Sequence, residues 1–435
     1  MITLGIKRIQ INKMKKKPQI FSNSLSYKKN GLLYFDNISC LDLAKSFGTP
    51  LYCYSANEIR NNLEIFKKSI SPFKSSIFFA VKSNFNPLVL SLFAKEGIGA
   101  DVVSKGEIEM ALSSGIKSEN IVFSGVGKSE EDLLFAIKKK IFQINVESYE
   151  EIEDILKIQQ KYKKKKLNIS LRVNPDVDAN THKKISTGKF EDKFGIPITR
   201  ISKIFDKFNQ NDYFKINGLA VHIGSQITHI KPFDVAFRKL RDLTISLKSL
   251  GYQIEKIDLG GGIGIVYSDN NTIDFDEYQK IISKYFGDLD VKLLFEPGRS
   301  LIGSAGILIC KIIRVKKGEK NNFLIIDGGM NDLIRPSMYD SYHEILPAKI
   351  TKDEKKVFYK IVGPICETGD SFGRKRKIQT LRKDDYVVIC STGAYGSSMS
   401  SYYNCRVPAN EIFIDKKKVL PTKKMLHPKD LYLKI

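Results

Sequence analysis

The residues best suited to covalent chemistry open with Phe78-Phe79-Ala80-Val81-Lys82-Ser83-Asn84, where a lysine directly follows a fully apolar run. If that run is a strand, the amine sits at its carboxyl end, partly withdrawn from water. Withdrawal favours the neutral amine, a nucleophile able to form a Schiff base with an aldehyde. The plainer reading is a strand-end lysine whose stem lies on apolar surface while its head reaches water. Asp258-Leu259-Gly260-Gly261-Gly262-Ile263-Gly264 places a glycine cluster behind another such run. Glycines there let backbone N–H groups approach an anion such as a phosphate, or simply allow a tight turn. The cluster lacks the spacing and the following acidic residue of a dinucleotide fingerprint. His222 and Ser225 in Val221-His222-Ile223-Gly224-Ser225-Gln226 add an imidazole and a hydroxyl, and Glu296-Pro297-Gly298-Arg299 adds a carboxylate and a guanidinium.

These groups can act together only if the elements ahead of them end at one rim. Between about residues 48 and 303, short β-branched runs alternate with stretches of helical periodicity, which predicts a βα repeat. The strands fall at 77–81, 100–104, 120–124, 141–146, 167–173, 218–223, 254–259 and 292–296. Eight of them predict an α/β fold with a closed, TIM-like (β/α)8 barrel over 48–303. An open doubly wound sheet is the alternative, and in both the chemistry gathers where the strands end. From residue 304 onward, runs at 307–315, 322–326, 356–361 and 385–389 have few helices between them, predicting a separate β domain over 304–435. A strand at 31–35 adds the segment 21–47 to that domain, making it discontinuous around the barrel. Residues 1–20 read as a dispensable basic extension, with Met14 as an alternative start.

The chain has 435 residues, 42% of them hydrophobic, enough for two cores. Its formal charge of +23 raises nucleic acid as a partner. However, only 13 of the 71 basic residues are Arg, and the lysines cluster at 13–17, 161–166 and 415–418. That is compositional bias, whereas a nucleic-acid site gathers Arg with aromatics, so no such partner is expected. Six cysteines without close pairs fit reduced thiols in the cytoplasm. No apolar run nears the roughly 18 residues of a spanning helix, and no membrane association is expected.

Several blocks taken in order resemble the group IV amino-acid decarboxylases with alanine-racemase-like barrels, specifically the diaminopimelate decarboxylase family. They are 79–84, Arg172-Val173-Asn174-Pro175-Asp176-Val177-Asp178-Ala179, Thr181-His182, Ile185-Ser186-Thr187-Gly188, Lys193-Phe194-Gly195, 222–226, 260–262, 296–299, Cys366-Glu367-Thr368-Gly369-Asp370 and Gly393-Ala394-Tyr395-Gly396. The resemblance spans roughly residues 30–430. It implies that Lys82 carries pyridoxal phosphate and that Gly260, Gly261, Gly262, Ser225 and Tyr395 hold the phosphate, with Gly298 and Arg299 in the cofactor-binding block. It also implies that Glu296 faces the pyridine nitrogen, that His222 lies against the ring, and that Asp101 and Arg172 stand near the same rim.

At the substrate end the resemblance assigns Arg299, Arg335, Tyr339 and Tyr395. Paired guanidinium donors suit a carboxylate, hence a substrate with a distal amino-acid end. Ornithine-type relatives, which handle a bare amine, typically carry Cys-Asp where this chain has Cys366-Glu367. The resemblance brings Cys366, as proton donor, and Glu367, as a contact to the distal amino group, from a partner subunit, implying a homodimer with shared sites. Lys82 and a water are competing proton donors. The implied reaction is decarboxylation of meso-diaminopimelate to L-lysine. The alternatives are decarboxylation of another amino acid, a non-catalytic relative and, from charge alone, a nucleic-acid-binding protein.

Overall fold

A computed structural model describes residues 22–162, 166–179, 181–185, 187–189, 192–268, 272–351 and 355–422. The 1–20 extension with Met14, and Ser186 of the 185–188 block, lie outside the described residues.

Eight parallel strands form the barrel: Ser75–Ala80, Gly99–Val102, Ile121–Phe123, Gln143–Val146, Leu167–Asn174, Phe214–Ala220, Lys256–Asp258 and Lys292–Phe295. The ring closes where Gln143–Val146 pairs with Leu167–Asn174 and Lys292–Phe295 pairs with Ser75–Ala80, so the closed barrel holds and the open sheet does not. Strands enclosed on both faces read as continuous apolar runs, and Ile121–Phe123 is buried along its whole length. Intervening helices are started by side chains that accept otherwise orphaned N–H groups. Ser104 caps Lys105–Ser113, and Ser129 forms a reciprocal capping box with Asp132 at the start of Glu130–Lys139.

The second unit is built on Gly306–Lys317, which pairs with Asn322–Ile326, Tyr386–Ile389 and Leu51–Ser55; the last of these pairs in turn with Asn410–Asp415. Leu51–Ser55 corrects the boundary drawn at residue 48, because it belongs to this sheet and not to the barrel. It is buried at all five positions, so its pattern matches a barrel strand and does not reveal which sheet it joins. Ser55 ends it and caps the helix Ala56–Ile70, accepting from the Glu58 N–H at 3.0 Å. The N-terminal strands Leu25–Tyr27, Leu33–Phe35 and Ile38–Ser39 pair antiparallel. Leu25, Leu33 and Phe35 are buried in one cluster with Leu51, Ile307, Val388 and Ile412. Among the described residues no helix is long and apolar enough to cross a membrane.

Candidate active site

Lys82 lies in a 3-10 turn, Val81–Ser83, that follows directly on the first barrel strand. Its Nζ is 2.7 Å from Oδ2 of Asp101, a fully buried carboxylate on the second strand. Burial by itself pushes the amine down, but Asp101, Tyr395 and Glu296 outweigh it and hold the amine above the ordinary lysine range. The neutral amine that strand-end desolvation predicts is therefore not the form this site favours, since the carboxylate next to it keeps the proton on.

Glu296 follows the eighth strand and is buried beside Asp258 and Asp101. Burial and these two carboxylates push its carboxyl well above the usual range. Asn145, on the fourth strand, holds the group through Nδ2, which donates to Glu296 Oε1 at 3.2 Å, Asp258 Oδ2 at 3.2 Å and Ser124 Oγ at 3.1 Å. Asn145 and Ser124 were not singled out from the sequence, because an amide or hydroxyl at a strand end carries no local signature.

His222, behind the sixth strand, accepts from the Gly261 N–H through Nδ1 at 3.2 Å. Burial, Arg172 and Lys82 push the imidazole well below its ordinary range, so it is neutral. Arg172 is committed to Glu147, with Nη1 2.6 Å from Oε1. Glu147 also accepts from the N–H groups of Gly125 and Gly195, so this pair ties three loops to the rim. The glycines at 260–262 are demanded by packing, because a Cβ would meet the carbonyls of Val221, Glu296 and Gly224 respectively. Gly298 packs against the Lys82 turn, where a Cβ would stand 3.0 Å from Ser83 Oγ. Tyr395 reaches the barrel from the second unit at φ 55°, a conformation costly for a bulky side chain, with its N–H donating to Ser83 O at 2.8 Å.

Two cavities meet at Lys82, Thr187 and His222. One, of about 350 Å³, is walled by Ser124, Asn145, Arg172 and Glu296. The other, of about 420 Å³, is walled by Ser225, Tyr267, Arg299, Arg335, Tyr339 and Tyr395. Arg299 donates to Ser225 Oγ at 3.1 Å and to Tyr267 Oη at 2.7 Å, with its Cζ 4.7 Å from the Tyr395 ring centroid. Arg335, 3% exposed, reaches the same cavity from the second unit. Tyr267 and His343 also belong to this cluster. The first stands five residues beyond Gly262 and the second eight beyond Arg335, with no motif to mark them.

The described residues fit a phosphorylated aldehyde with an aromatic ring. A lysine stands at a strand end beside a buried acidic oxygen, Asp101 Oδ1, that has no partner, and the Glu296 carboxyl faces the same space. Guanidinium nitrogens, Arg299 Nε and Arg335 Nε, are likewise buried without partners beside the larger cavity. Cys366 and Glu367 do not line either cavity of their own chain. Both are exposed, and Glu367 accepts from the Tyr403 hydroxyl at 2.5 Å.

A barrel carrying a strand-end lysine and a buried carboxyl, joined to a β domain, defines the class of pyridoxal-dependent decarboxylases. The family described as pyridoxal-dependent decarboxylase, pyridoxal binding domain, matches residues 56–303. A diaminopimelate decarboxylase of Zymomonas mobilis is 42% identical over 93% of this chain and 96% of its own length, and that of Aquifex aeolicus is 41% identical over 89% and 91%. Among solved structures, the Helicobacter pylori enzyme complexed with L-lysine is 38% identical with a TM-score of 0.86, covering 90% of this chain and 98% of that one. The M. jannaschii enzyme in co-complex with L-lysine is 34% identical with a TM-score of 0.89, covering 94% and 97%. The chain belongs to the diaminopimelate decarboxylase family.

Proposed function

We propose that the protein uses pyridoxal phosphate to decarboxylate meso-diaminopimelate to L-lysine and CO2, the last step of lysine biosynthesis by that route. The observation that carries this reading is the larger cavity. Two buried arginines face it while no carboxylate of the described chain lines it, and such a site selects an anionic distal end over a bare amine.

Bound pyridoxal phosphate supplies an electron sink for the pair left behind when CO2 departs. Lys82 would carry it, with Asp101 accepting a hydrogen bond from the amine at 2.7 Å. Glu296 would face the ring nitrogen and keep it protonated, and neutral His222 would lie against the ring without adding charge. Gly260, Gly261, Gly262, Ser225 and Tyr395 hold the phosphate, with Gly298 and Arg299 beside them, and Arg172 keeps the rim in place. Arg299, Arg335, Tyr339 and Tyr395 anchor the substrate, and the distal anchor fixes how the reacting carbon is presented, which favours loss of CO2 over loss of a proton.

Exposed Cys366 and Glu367 serve the neighbouring site of a homodimer. There Cys366 returns a proton to the reacting carbon and Glu367 meets the distal amino group. The chain divides into a barrel over 48–303, less the strand Leu51–Ser55 that pairs into the other sheet, and a β domain over 304–435 with 21–47, and it works in the cytoplasm without nucleic acid. The test is an assay of purified protein with pyridoxal phosphate on meso-diaminopimelate, ornithine and arginine in parallel. Lysine formed from diaminopimelate alone supports the reading, and turnover of ornithine or arginine overturns the roles given to Arg299 and Arg335.

A further inference from the structure

Tyr267 stands between the two arginines of the larger cavity. Its Oη accepts from Arg299 Nη1 at 2.7 Å, and the Arg335 guanidinium stands over its ring with Cζ 4.7 Å from the centroid. Among the described residues, every hydrogen-bond partner of this oxygen is a guanidinium. Guanidinium groups only donate, whereas a phenol carries one proton of its own to give away. That proton therefore has no protein acceptor, and the side chain lines the cavity. His343 enforces the same polarity behind Arg335. Its Nδ1 donates to the Cys390 carbonyl at 2.9 Å, which leaves Nε2 to accept from Arg335 Nη1 at 2.8 Å. Burial and Arg335 push this imidazole far below its ordinary range, so it adds no charge. Neither arginine offers the Tyr267 O–H an acceptor and no carboxylate of the described residues lines the cavity, so the missing partner is an acceptor.

We propose that Tyr267 is a substrate-binding and specificity-determining residue: its O–H donates to the carboxylate at the substrate's distal end, completing a three-donor cup with Arg299 and Arg335. A substrate ending in a bare amine meets two guanidinium charges and no carboxylate of the described residues there, which is a repulsive element as well as a lost attraction. This rests on the functional reading above and adds a residue to it.

The test compares binding of L-lysine and cadaverine to pyridoxal-phosphate-loaded protein by calorimetry. The two ligands differ by the carboxylate in question. Tyr267→Phe should weaken L-lysine by about ten-fold to a hundred-fold, the usual worth of a hydrogen bond to a charged group, and leave cadaverine unchanged. In the same variant KM for diaminopimelate should rise while kcat stays within about two-fold, and the visible absorbance of bound cofactor and the melting temperature should match the parent. Unchanged L-lysine binding would overturn the proposal, as would equal weakening of both ligands, which marks distortion of the site and not loss of a donor. If the parent protein itself shows no preference for L-lysine over cadaverine, it is the functional reading that fails, and the role of Tyr267 falls with it.

Discussion

The Lys82 ammonium and the Asp101 carboxylate neutralise each other in a place where neither would be stable alone, and this pairing decides how the site can be probed. Removing the cation leaves the fully buried Asp101 without its partner, and because the Lys82 side chain is 33% exposed the cost falls below the roughly 3–5 kcal/mol of a fully buried pair. Lys82→Ala would therefore confound loss of chemistry with loss of stability. Lys82→Arg keeps a positive charge beside Asp101 but cannot form a Schiff base. It should retain a near-parental melting temperature while losing the visible absorbance of covalently held cofactor and about a thousand-fold or more of activity. An unchanged spectrum would remove Lys82 from its role. At this scale the sequence revealed the groups that end apolar runs, Lys82, His222 and Glu296, because a strand closed in on both sides announces its own end. Tyr267, Asn145 and His343 were not legible, since each owes its place to contacts made across the fold: Asn145 to Asp258 and Glu296, Tyr267 to an arginine of the other unit.

Among the elements, the helix Lys105–Ser113 brings a titratable group close to the Lys82 site. Glu107 Oε2 accepts from the Val103 N–H at 2.8 Å. Burial, opposed in part by that bond and by Lys82, pushes its carboxyl up to about 7. The sign follows from proton binding: between the ordinary carboxyl value and about 7 the folded chain holds a proton that the unfolded chain has released. The stability contributed by the neutral carboxyl is full at acid pH and is lost as pH rises through about 7. Glu107→Gln fixes the neutral form and still offers an oxygen to Val103. Its melting temperature should therefore gain on the parent from about pH 5 to about pH 8, by the equivalent of about 1 kcal/mol. A constant difference across that range would show that Glu107 does not titrate there. Sheet membership was the less legible part at this scale. Leu51–Ser55 and the barrel strands share one apolar pattern, and only the partners Gly306–Lys317 and Asn410–Asp415 separate them.

For the molecule as a whole, the exposed Cys366 and Glu367 have their consequence between chains. If each site takes Lys82 from one subunit and these two residues from the other, two inactive variants can repair each other. Lys82→Arg mixed with the double variant Cys366→Ala and Glu367→Ala, after dissociation and reassembly, should regain about a quarter of parental activity, because half of the dimers are mixed and each mixed dimer has one intact site. No regain would place the whole site within one chain. The alternation of runs made the barrel legible because it repeats eight times. The β domain was legible only as a change of texture, since short strands such as Ile345–Pro347 and Arg376–Gln379 take their pairing from distant segments.

In the proposed reaction one end of meso-diaminopimelate is held by its carboxylate while the other loses CO2. The most direct measurement is the stoichiometry of products from meso-diaminopimelate with the cofactor-loaded protein. Equal amounts of CO2 and L-lysine, rising together, are the predicted result. Epimerised diaminopimelate without CO2 would contradict it, because the same lysine and carboxyl would then be moving a proton and leaving the carboxylate in place.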